Sequence, residues 1–137
     1  MRAVLTFVAR LCLCAVFIAA VVTDLVPNFN SVAEAMTGEG VRWAPLLLAG
    51  AIGLLLVGSV SVALGYQARF GAACLIAFLI PTTYYFHDFW NAWSRASGLT
   101  DLTQFLKNLG LAGAFLAILV NGAGPGSVDE LDDGAPS

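Results

Sequence analysis

An all-α integral membrane fold, a four-helix bundle, is predicted by three observations: the density of apolar residues, their grouping into four runs, and the length of each run. Of 137 residues, 59% are hydrophobic and 11% charged, with a mean hydropathy of +0.85. An average soluble domain carries about 25% charged residues. The runs cover residues 4–26, 44–64, 68–86 and 102–121. About 20 residues rising 1.5 Å each cross a ~30 Å hydrocarbon layer, so every run is long enough to span, and the lipid bilayer is the first partner implied. The alternating pattern of a barrel strand is absent, which leaves helices. Residues 1–121 therefore form a membrane domain. Residues 122–137 hold four of the nine acids among Gly, Pro and Ser, and read as a disordered acidic tail.

Each element has its own local signals. The first run follows Met1 and Arg2 and contains small residues at Ala19 and Ala20, as a secretory signal does. Arg10 interrupts it and three more spans follow, so it reads as a retained helix, with a cleaved peptide as the alternative. Arg10 lies about 9 Å into the span, near enough to snorkel to the surface; an inward polar contact with the segment Gly124 to Asp129 is the competing reading. In the first loop, Ser31 and Glu34 have capping-box spacing, which predicts a short interfacial helix from Val32 to Thr37 closed by Gly38. Pro45 suits the first turn of the second span. Pro81 predicts a kink in the third, just before Thr82, Thr83 and Tyr84. Asp101 and Gln104 resemble a cap for the fourth, which would carry Lys107 and Asn108. Small residues four apart, Ala49 with Gly53, Gly110 with Ala114 and Gly113 with Ala117, allow close helix approach within one bundle or in a homo-oligomer.

Four spans place both termini on one side, face A, with the turn from Gly65 to Arg69. The first loop and the loop after His87 share face B. Trp43, Trp90 and Trp93 fall there with Tyr84 and Tyr85, as rings that anchor at the headgroup level do. Basic residues divide evenly, Arg2, Arg10 and Arg69 against Arg42, Arg95 and Lys107. The weight of the first helix puts face A, and both termini, in the cytoplasm.

Two polar intrusions stand out: FHDFW, from Phe86 to Trp90, and FLKN, from Phe105 to Asn108. They bring His87, Asp88, Lys107 and Asn108 to one depth near face B, on helices joined by a short loop. Asp88 is the natural partner of Lys107. One reading is a structural ion pair at the water boundary. The other is a small polar site in which His87 exchanges protons, Asp88 orients it and Lys107 holds an anionic or carbonyl group. No catalytic residue is assigned. A single histidine rules out bis-histidine haem ligation, and Cys12, Cys14 and Cys74 have no ligand-spaced partners, so no metal site is read. Phosphate loops, nucleophile elbows and basic nucleic-acid patches are also missing from the sequence.

At these residues the chain resembles the DoxX family of small four-span bacterial membrane proteins. The resemblance rests on Arg10, on Gly65 and Arg69 in the second turn, on FHDFW, on FLKNLGLAG from Phe105 to Gly113, and on GPGSVD from Gly124 to Asp129. It implies a multi-pass protein of the bacterial inner membrane, attached to membrane redox systems that include quinone-linked sulfur oxidation and oxidant defence. A membrane or peripheral oxidoreductase is then the expected partner, and a quinone the only cofactor suggested. A small solute or proton-coupled transporter, or a purely structural protein, are the rival readings. Two positions depart from the family pattern. Family members often carry a lysine late in the first helix and a glutamate in the second, where this chain has Asp24 and Leu55.

Overall fold

A computed structural model of the chain describes residues 1–86 and 98–133. Helix α1, Arg2–Ala20, runs into a π-helical turn, Val21–Leu25. It is followed by α2, Phe29–Gly38, α3, Ala44–Leu64, and α4, Ala68–Phe86. The fourth long helix is α5, Gly98–Asn121, and a short α6, Val128–Asp133, comes last. Four of these helices are long and apolar enough to cross a membrane. The protein is an all-α membrane bundle.

Packing follows chain order: α3 lies against α4, α4 against α5, and α1 against α3. The core is built from Cys14, Phe17 and Val21 of α1, Leu55 and Val62 of α3, Ala72, Leu75 and Leu79 of α4, and Phe115 of α5. The Phe17 ring stands 5.6 Å from the Phe115 ring and 6.5 Å, edge-on, from that of Phe78, so aromatic contact joins α1 to α5 and α4. Lipid tails are as apolar as these side chains, and such a core holds by close packing more than by escape from water.

The backbones of α3 and α4 approach closely where a Cβ on Gly58 would lie 3.0 Å from the Gly71 carbonyl oxygen and one on Gly71 would lie 2.9 Å from that of Gly58. These two glycines, thirteen residues apart across a turn, escape a search for four-residue spacing within one helix. The glycines that such a search does select, Gly53, Gly110 and Gly113, have open space where a Cβ would be. They do not pack this bundle.

Helix ends also depart from expectation. Helix α2 begins at Phe29, before the proposed cap, and Ser31 donates its hydroxyl to the Asn28 carbonyl. The cause is an earlier start: Asn28, with a non-helical backbone at φ −107°, supplies the carbonyl that accepts from the Val32 amide, so it and not Ser31 stands at the N-terminus of α2. The left-handed stop is Gly40, at φ +83°, where the Val41 and Gly40 amides bond the carbonyls of Met36 and Thr37 in a Schellman pattern. Helix α5 starts at Gly98, which puts Asp101 inside its first turn, where a carboxylate favours the helix dipole without capping. Pro45 occupies the first turn of α3 and Pro81 lies inside α4.

Candidate functional site

Among the described residues the polar side chains gather at both ends of the bundle, and the larger connected group is at face A. Arg10 is 2% exposed. Its Nη1 donates to the Ala123 carbonyl at 2.8 Å and its Nη2 to that of Gly126 at 2.9 Å, while the guanidinium lies 5.8 Å from the Phe7 ring centre. The expected snorkelling does not occur. The chain itself brings acceptors to the charge, so the arginine need not reach water. Its Nε is buried without a partner among the described residues.

What brings those acceptors is the segment just after α5, which the sequence marks as a disordered tail. Residues 122–131 instead fold back as a strap across face A. Asp129 accepts from the backbone amides of Gln67 at 2.7 Å and Ala68 at 3.0 Å, and so caps the N-terminus of α4 from 61 residues away. The Asp129 amide donates in turn to the Gly65 carbonyl at 2.8 Å. Within the strap, the Glu130 amide donates to Ser127 Oγ at 3.2 Å and the Gly126 amide to Glu130 Oε2 at 2.7 Å, a close variant of the capping box. The spacing of Ser127 and Glu130 carried this signal, hidden by the polar composition around it. Arg69 adds a longer contact, 3.4 Å, to the Val120 carbonyl.

Gly65 is the pivot of this cluster. It ends α3 in a left-handed conformation, φ +69°, and a Cβ there would stand 2.5 Å from Ser127 Cβ and 3.1 Å from Arg10 Nη1. A side chain is excluded twice, by backbone conformation and by space. The strap also rests on α1, since Cβ atoms at Gly124 and Gly126 would meet Thr6 and Ala3 at 3.1 and 3.0 Å. Arg10, Gly65 and Asp129 thus form one connected set through the strap, with Arg69 beside it, and the inward contact of Arg10 with the segment Gly124 to Asp129 is the reading that holds.

At face B, the expected layer is visible in part. Asn108 is buried, and its Nδ2 donates to Thr83 Oγ1 at 3.0 Å, joining α5 to α4. Lys107, next to it, is exposed. His87, Asp88, Trp90, Trp93 and Arg95 lie outside the described residues, and with them the proposed pair of Lys107 and Asp88. Tyr84 and Tyr85 are exposed, with their rings edge-on at 5.3 Å. Trp43 is 75% exposed and holds a left-handed backbone, φ +62°, at the start of α3. Beside it a shallow groove of about 490 Å³ is lined by residues that include Thr37, Arg42 and Pro45. Of the two departures from the family pattern, Leu55 is buried in the core, while Asp24 is exposed and accepts from Asn28 Nδ2 at 3.2 Å. Cys12 is exposed and Cys14 buried, as an i,i+2 pair on a helix must be. Among the described residues no group of His, Cys, Asp and Glu is placed to hold a metal ion.

The chain is similar to the inner membrane protein YphA of Escherichia coli (strain K12), 27% identical over 128 residues that cover 93% of this chain and 90% of that protein. No solved structure gives a significant match. The DoxX family model matches residues 5–88, from the first helix through the third. The helices, the turn at Gly65 and the family match agree, and the chain belongs to the DoxX family.

Proposed function

We propose that this protein is an accessory subunit of a membrane-associated redox system of the bacterial inner membrane, and that it docks an oxidoreductase through face B. The observation that carries this reading is the contrast between the two ends. Face A is covered by the strap, with Arg10 committed to backbone carbonyls. Face B presents the exposed Trp43, Arg42, Tyr84 and Tyr85. Interface-forming surfaces are enriched in such aromatic and arginine side chains. A quinone-facing role at this end, shared by His87, Asp88, Tyr84, Tyr85 and Trp90, extends the same proposal, with face A on the cytoplasmic side. Covering of face A also counts against a solute pathway through four helices, the transporter alternative.

Purification in mild detergent tests the docking. The expected result is a stoichiometric oxidoreductase that is lost from a Trp43→Ala variant, together with a rise in thermal stability on adding a quinone. Recovery of the chain alone, with no quinone effect, overturns the proposal. Proteoliposome flux that disappears in Lys107→Ala would instead establish transport.

A further inference from the structure

The strap, residues 122–131, is held at two places by two different elements. Its first half is gripped by α1, through Arg10 and the carbonyls of Ala123 and Gly126. Its second half grips α4, through Asp129 and the amides of Gln67 and Ala68. Among the described residues no hydrogen bond joins Arg10 to those two amides; the connection runs along the strap and over Gly65, where a Cβ would meet both Ser127 and Arg10. Apolar burial contributes little here. The strap supplies only two small buried side chains, Ala123 and Ser127, and no residue of the hydrophobic core. Segments with few buried apolar contacts open at lower free energy than the core they cover.

The geometry points to a lid that opens and closes as one unit over face A, hinged at Gly122, which follows the last residue of α5 at φ +80°. Closed, the lid satisfies the buried guanidinium and the first amides of α4 together. Open, it exposes a cup with a cation on one side and two N–H donors on the other, with water in place of their protein acceptors. Each half of the strap therefore opposes release of the other, because a grip held at one end keeps the partners at the other end at high effective concentration, a few residues away. The lid is independent of the docking proposed at face B.

Residue-resolved amide hydrogen exchange on the full chain in lipid nanodiscs tests this. Arg10→Met removes the grip on the first half only. A lid that moves as a unit then exchanges faster at Asp129, whose amide bonds the Gly65 carbonyl, and also, by roughly tenfold or more, at Gln67 and Ala68, as expected for the loss of hydrogen bonds to a charged group. Asp129→Asn, which weakens the other grip, should speed exchange of the Arg10 guanidinium protons, whose Nη groups donate to the carbonyls of Ala123 and Gly126. In both variants the core amides from Leu55 to Ser59 should stay at their original rate. Unchanged exchange at Gln67 and Ala68 in Arg10→Met would mean two separate contacts and no lid. Acceleration of the core in step with the strap would mean that the segment opens only with the whole bundle, which also overturns the proposal.

Discussion

Arg10 shows how one residue's environment inverts the ordinary expectation for its type. A charged side chain within a span costs several kcal/mol at the bilayer centre, and reaching for water is the usual remedy. Here two carbonyls arrive from over a hundred residues away. Hydrogen bonds to a charged group contribute about 1.5–3 kcal/mol, so Arg10→Ala should lower stability by roughly 2 kcal/mol, read as a fall in thermal unfolding temperature in detergent. Arg10→Lys should recover only part, because a single ammonium replaces a planar fork that spans both carbonyls. Asn108 and Thr83 form a part-buried polar contact between α5 and α4. Hydrogen bonds between membrane helices average about 0.6 kcal/mol in double-mutant cycles, and the cycle of Asn108→Leu with Thr83→Val should give a coupling of that order. The first of these residues was legible as a polar intrusion, the second as part of a threonine cluster. Their pairing was not, since sequence spacing does not fix which faces of two helices meet.

Elements were the most readable level, and their ends the least. Three spans begin or end within a few residues of the apolar runs, because hydrophobic length is a property of local sequence. Capping is less local than it looks. Ser31 and Glu34 have the right spacing but sit in a chain that is already helical, whereas α4 is capped by Asp129 across 61 residues. The crossing of α3 and α4 gives a sharp contrast among glycines. Gly71→Ala places a methyl 2.9 Å from a carbonyl oxygen and should cost about 1–3 kcal/mol by overpacking, while Gly110→Ala meets nothing and should stay within about 0.5 kcal/mol. Chemical denaturation of the two variants side by side checks this; equal losses would show that the crossing is not the tight contact.

For the molecule as a whole, four spans place the strap, Gly65 and the start of α1 at one end. Reporters fused before Met1 and after Ser137 should therefore respond alike, and as cytoplasmic probes if face A faces inward; opposite responses would contradict the four-span topology. Composition and run length alone determined the fold class, the number of spans and the shared side of the termini, since each depends on transfer of contiguous apolar chain into lipid. Single motifs likewise pointed to Arg10, Arg69 and Asp129. Only the tertiary structure decided that these residues form one cluster, and that a segment acidic enough to resemble a free tail is bound as a strap. The physical reason is that each grip has a backbone group on one side, the strap's own carbonyls of Ala123 and Gly126 for Arg10 and the amides of Gln67 and Ala68 for Asp129, and no sequence pattern distinguishes such groups.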